Sequence, residues 1–88
     1  MRAQDSGTVA GAPAHRAVWT IPSARGQVDL AVEAAPDGRW RYSVLRHRGD
    51  RVVPLSQGVA SSWELTVVEI TSALDRAGVA GRPADLYT

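Results

Sequence analysis

The densest group of chemically capable side chains is Gly-Arg-Trp-Arg-Tyr-Ser-Val-Leu-Arg-His-Arg-Gly-Asp-Arg, residues 38–51. It holds half of the ten basic residues of the chain, every one of them Arg, and two of its aromatic residues, Trp40 and Tyr42. Arginine binds phosphate and stacks on bases, and aromatic side chains on a sheet can hold unpaired bases. Arg39, Arg41, Arg46, Arg48 and Arg51 are therefore candidate contacts to the phosphates of a nucleic acid. The segment carries a formal +4 while the whole chain carries +1, so the remainder is acidic and the charge is bipolar. Strand alternation limits this reading, because Trp40 and Tyr42 then point to the face opposite Arg39 and Arg41. Asp29 and Glu33 fall on the arginine face, where Glu33 can neutralise Arg41 across a hairpin.

Other chemistry has weaker support. Arg48-Gly49-Asp50 spells an adhesion tripeptide, but Gly49-Asp50 is accounted for as a tight turn. His15 and His47 have no second His or carboxylate at helical ligand spacing, so both read as solvated strand residues and no metal is expected. The serines cluster at turns and at a helix start, where local hydrogen bonding explains them. No Gly-rich phosphate loop follows a strand, and the absence of Cys excludes thiolate ligands and a Cys nucleophile. The expectation is a protein that is not an enzyme, with no catalytic residues and no cofactor.

These residues are positioned by elements the pattern marks plainly. Residues 1–13 mix Gly, Ala, Ser and Pro and read as a flexible N-terminal segment with no secretory apolar run. A strand is expected over 15–21, ended by Pro22, and another over 28–34, where Val28, Leu30, Val32 and Ala34 alternate with Asp29, Ala31 and Glu33. Pro36-Asp37-Gly38 predicts a three-residue hairpin loop, which sets Ala34 opposite Trp40, Val32 opposite Tyr42, Leu30 opposite Val44 and Glu33 opposite Arg41. A two-residue turn at Gly49-Asp50 then sets Arg46 opposite Val53 and Val44 opposite Leu55. Pro54 has no N–H, which assigns the strand over 51–60 to a sheet edge.

A helix follows. Ser61-Ser62-Trp63-Glu64 reads as a capping box with Ser61 as the cap, and Gly78 stands where a left-handed C-terminal cap belongs. Trp63, Val67, Ile70, Leu74 and Ala77 form its apolar stripe, while Leu65 and Val68 face away. The fold class expected is α+β: an antiparallel three- to four-stranded β-meander with one C-terminal α-helix packed on one face, ββββα. Trp19, Trp40, Tyr42 and Trp63 are its expected bulky core pieces. Residues 14–78 form a single domain, and 79–88 a tail that Leu86 and Tyr87 could pin to the core.

The order of hairpin, Gly38-Arg39-Trp40-Arg41-Tyr42, Gly turn, Val-rich strand and Ser-capped helix resembles the YegP-type domain. The matching positions are Gly38, Trp40, Arg41, Tyr42, Gly49, Val52, Val53, Ser56, Gly58 and Ser61, within residues 28–78. The chain departs from that pattern at Gly49-Asp50, at Val59 after Gly58, and in its additional first strand. The resemblance implies the fold and a tendency to occur as associating units, and it brings no biochemical activity.

Fourteen Ala with no Phe and no Lys indicate GC-rich coding, so arginine abundance alone is discounted. The function expected is a small, cytoplasmic protein-interaction module of a bacterium or phage, accessory or regulatory and self-associating as a homodimer. Its candidate surface comprises Val18, Leu45, Val52, Pro54, Leu65 and Val68. The alternative is a small nucleic-acid-binding domain using the five arginines. Neither a membrane nor a small-molecule substrate is expected.

Overall fold

The computed structural model describes residues 15–83 and Leu86; the N-terminal segment 1–13 and Tyr87 lie outside the described residues. Four strands, β1 (Arg16–Ile21), β2 (Val28–Ala34), β3 (Trp40–Arg48) and β4 (Arg51–Ala60), precede one helix, α1 (Trp63–Arg76). They form an antiparallel sheet in the order β1-β2-β3-β4, with α1 lying over β3 and β4. This is the ββββα meander the alternation and turn chemistry imply.

The first hairpin has the expected register, with Ala34 opposite Trp40, Val32 opposite Tyr42, Leu30 opposite Val44 and Glu33 opposite Arg41. Its loop closes through Gly38 N–H to the Ala35 carbonyl at 3.0 Å and Ala35 N–H to the Arg39 carbonyl at 2.8 Å. The connection from β1 to β2 uses Gly26 at φ 115°, where an added Cβ would stand 2.0 Å from the His47 carbonyl oxygen. No other residue fits there, because both the backbone angle and the approach of β3 demand glycine.

The second hairpin differs from the expected pairing. Arg46 does face Val53, but Val44 faces Ser56 rather than Leu55, and a register shift falls between Val44 and Leu45. Leu55 is the additional residue of a β-bulge directly after Pro54. The bulge sets Gly58 opposite Tyr42, where a Cβ would lie 3.1 Å from the tyrosine oxygen, and turns Val59 to the outer face beside Arg41.

The helix starts one residue later than the expected box. Ser62, not Ser61, is the cap, its hydroxyl oxygen accepting from Leu65 N–H at 3.1 Å. The third helical position is thus Leu65, and Glu64 cannot complete a reciprocal box. Ser62→Ala is expected to cost about 1 kcal/mol, whereas Ser61→Ala, at an exposed position, changes stability by less than about 0.5 kcal/mol. Urea midpoints of the two variants check this assignment.

At the other end, Val79 N–H bonds the Leu74 carbonyl at 2.9 Å and Gly78 N–H bonds the Asp75 carbonyl at 3.1 Å, with Gly78 at φ 72°. This is a Schellman closure, and its apolar clasp is the buried pair Leu74 and Val79. Trp63, Thr66, Ile70, Ala73 and Leu74 are the buried helix residues; Val67 and Ala77, expected in the stripe, are half-buried. Thr66 tolerates full burial because its hydroxyl donates to the Ser62 carbonyl at 2.8 Å.

The core is aliphatic rather than aromatic: Val28, Leu30, Val32, Val44, Ile70, Leu74, Val79 and Leu86 are its most enclosed members. Among the described aromatics only Trp63 is buried, tilted against Trp40 with ring centroids 4.9 Å apart; Trp19, Trp40 and Tyr42 line the margin. Val79 and Leu86 of the tail belong to this core. Arg82 ties it back through an ion pair with Asp75 and a bond to the Val79 carbonyl, and Gly81 passes against Ile21.

Candidate interaction surface

Every strand presents one row of side chains to the core, on the side of the sheet where the helix lies, and one to the opposite side. On that opposite, outer face Arg16, Glu33, Arg41 and Val59 form one row across the sheet; Val18, Ala31, Ser43 and Gln57 form the next. Thr20, Asp29, Leu45 and Pro54 follow, and His47 faces Val52 beyond them. Among the described residues no element covers this face.

Small side chains in the middle of the face leave a shallow hollow of about 240 Å³, lined by Arg16, Val18, Ala31, Glu33, Arg41 and Ser43. Glu33 lies 3.8 Å from Arg41, as the hairpin register implies. Toward the other end, His47 Nε2 stands 2.7 Å from Asp29 Oδ2 and, since an ionised carboxylate can only accept, the ring nitrogen donates. Asp29 also accepts from Thr20 Oγ1 at 3.2 Å and Gln27 Nε2 at 3.0 Å. His47 is accordingly a half-buried, paired residue rather than a solvated one, while His15 is exposed. The sequence held a signal for this pair, since Asp29 and His47 point to the same face of neighbouring strands.

Partial desolvation acts to raise the Asp29 pKa, but the bonds from His47, Gln27 and Thr20 and the charge of His47 outweigh it, holding the carboxyl below its ordinary 3.8. A depressed carboxylate pKa stabilises the fold at pH values above the unfolded-state pKa, and the contribution is lost as pH falls through the folded-state value. Asp29→Asn is therefore expected to lower stability by up to about 1 kcal/mol near neutrality. The difference from the parent should shrink as the pH falls below 3.8, which urea titrations at several pH values would measure.

The two edges of the sheet differ. Residues of an inner strand bond alternately to one neighbour and then the other. Arg39 and His47 bond toward β2, and Ala34 bonds toward His15, which fixes the alternation throughout. Val52, Pro54, Gln57 and Val59 therefore turn their backbone groups to the outer side of β4, and Arg16, Val18 and Thr20 turn theirs to the outer side of β1, where no strand pairs among the described residues. On β4 the Pro54 position offers no donor, and the bulge interrupts the run beside it. β1 has neither device, and Val18 at its middle is 58% exposed.

The sequence-derived surface is thus divided. Val18, Leu45, Val52 and Pro54 share the outer sheet face, with Val18, Val52 and Pro54 exposed and Leu45 half-buried. Leu65 and Val68 are exposed on the helix, on the far side of the molecule, and the structure does not bring them to the others. Val59, 56% exposed, joins the outer face, a residue the sequence reading missed because the bulge decides its direction.

The candidate phosphate contacts are dispersed as well. Arg46 is not at the accessible tip: it is 8% exposed on the inner face, donating from Nη2 to the Ala77 carbonyl at the helix end at 3.3 Å. Alternation places it with Val44, and its long stem lets the guanidinium reach the negative end of α1. Its Nε is buried without a partner among the described residues. Arg39 lies 3.6 Å from Asp37, and Arg41 is paired with Glu33. Arg48 and Arg51 remain, exposed and opposite one another at the hairpin tip.

Among the described residues no three metal-ligating side chains converge, and no helix is long and apolar enough to cross a membrane. No protein-family profile, curated protein or solved structure matches this chain.

Proposed function

We propose that this protein is a small non-enzymatic interaction module that associates with itself through the open side of its sheet. The observation that supports this reading is Val18, an aliphatic side chain 58% exposed at the centre of an edge strand whose outward backbone groups pair with no other strand among the described residues. An edge strand with an exposed aliphatic side chain is a template for pairing with another strand, and proteins that remain monomeric usually block such edges. The resemblance of residues 28–78 to YegP-type domains, which occur as associating units, points the same way. A cytoplasmic accessory or regulatory role in a bacterium or phage belongs to the same proposal.

The nucleic-acid reading has less support. With Arg46 committed to the helix end and Arg39 and Arg41 beside carboxylates, Arg48 and Arg51 are the two of the five candidate arginines with no carboxylate partner among the described residues. Two phosphate contacts give a salt dependence of log K near a slope of about −2, too shallow for firm binding.

Light scattering across a wide concentration range tests the self-association reading. A concentration-dependent dimer that survives Leu65→Asp is expected, since Leu65 lies on the helix side. A protein that stays monomeric throughout overturns the reading, and salt-sensitive nucleic-acid binding lost on Arg48→Ala and Arg51→Ala replaces it with the alternative.

A further inference from the structure

We infer that the occupant of the β1 edge is β1 of a second copy, paired antiparallel about Val18 to give one continuous eight-stranded sheet. This deepens the proposal of self-association and rests on it. The two edges of the sheet are not equivalent: β4 carries a proline on its outer side and a bulge, two of the devices that discourage strand addition, and β1 carries neither.

The strand Arg16-Ala17-Val18-Trp19-Thr20-Ile21 is complementary to itself in one register. With Val18 on the two-fold axis, the outward-turned residues Arg16, Val18 and Thr20 meet Thr20, Val18 and Arg16 of the second copy. All of them can then exchange N–H···O bonds, about six in total. On the inner face each half-buried Trp19 lies beside Ala17 of the second copy, a large residue against a small one. On the outer face Arg16 stands opposite Thr20 of the second copy, with that copy's Asp29 directly behind, since Thr20 and Asp29 are paired in register and bonded at 3.2 Å. A cation thus faces an anion at both ends of the interface, and no like charges meet. Shifting the strands by one bonded step toward Ile21 sets Trp19 against Trp19 and Arg16 against Pro22, which has no donor. Shifting them the other way sets Arg16 against Val18 and leaves Thr20 beyond the partner strand.

The test transfers to β1 the protection that β4 already has. In Val18→Pro the missing N–H falls on the open edge, so the bonds between β1 and β2 are kept while the central bonds between copies are lost. Its dimer dissociation constant should rise by about tenfold or more, while Val18→Thr, which keeps the N–H, and Leu45→Asp on the outer face leave it within a few-fold. Hydrogen exchange of the unaltered protein supplies a readout that needs no variant. The amides of Arg16, Val18 and Thr20 should become protected as concentration rises, alongside the always protected Ala17 and Trp19.

A dimer dissolved by Leu45→Asp but not by Val18→Pro overturns the edge pairing and leaves self-association standing. Protection of Val18 that is independent of concentration in a monomer, and lost when residues 1–12 are deleted, overturns it in favour of an intramolecular cover. A protein that is monomeric at every concentration, with freely exchanging edge amides, overturns both proposals.

Discussion

Arg46→Glu is expected to cost about 3–5 kcal/mol, the range for leaving an uncompensated charge in a protein interior. That is a large part of the 5–15 kcal/mol typical of a whole domain. The side chain is 8% exposed and its guanidinium donates to the Ala77 carbonyl, at the end of a helix whose last carbonyls already carry partial negative charge. A carboxylate there would be buried, unpaired and repelled. Arg46→Met keeps the length and the apolar stem and avoids the unpartnered Nε, so it should remain within about 1.5 kcal/mol of the parent. Chemical denaturation followed by circular dichroism separates the two. Equal stability of Arg46→Glu and the parent would mean that the guanidinium is in solvent. The same geometry shows that Arg46→Glu is a poor probe of nucleic-acid binding, because any loss would report on folding.

Leu86→Ala should lower stability by about 2–4 kcal/mol, as expected for truncating a large aliphatic in a packed core. Thermal midpoints of a domain this size move by roughly 4–8 °C per kcal/mol, so the effect is easily read by calorimetry. Leu86 is 1% exposed, and the chain leading to it is held by Arg82 on Asp75 and on the Val79 carbonyl. A chain ending at Gly81 should lose at least as much. Val68→Ala, on the exposed side of α1, should change stability by less than about 0.5 kcal/mol. If Leu86→Ala behaves like Val68→Ala, the tail is not part of the core. The helix lies over β3 and β4, while Val79 and Leu86 join the same core cluster as β1 and β2 residues and Gly81 lies against Ile21 of β1.

The two arginine strings in β3 show how far pattern alone can go. Arg39 and Arg41 precede and begin a run whose turn is written into Pro36-Asp37-Gly38, and their exposure and the Glu33 partner follow from the register. Arg46 lies on the inner side by the same alternation, yet its charge argued for solvent. The conflict was resolved by a helix end many residues later in the chain, whose position over β3 no local rule supplies. The Asp29 and His47 pair is an intermediate case: both sit on one face by parity, but contact between them depended on sheet twist and on side chains leaning toward one another.

By itself, the sequence determined the element order, the first hairpin, the Gly78 closure of the helix and the open-edge location of Pro54, all set by local backbone preferences and short-range periodicity. Tertiary structure alone decided the bulge at Leu55, the burial of Arg46, the seating of Leu86 and the division of the apolar surface between sheet and helix. The physical reason is range. Turn and cap energies act over a few residues and are visible in the string, whereas packing is a choice among distant partners that exists only once the sheet and helix meet. The candidate interface reflects both, because the absence of proline from β1 is visible in the string, whereas its place at a sheet edge that no described residue covers appears only beside the Pro54 edge of β4.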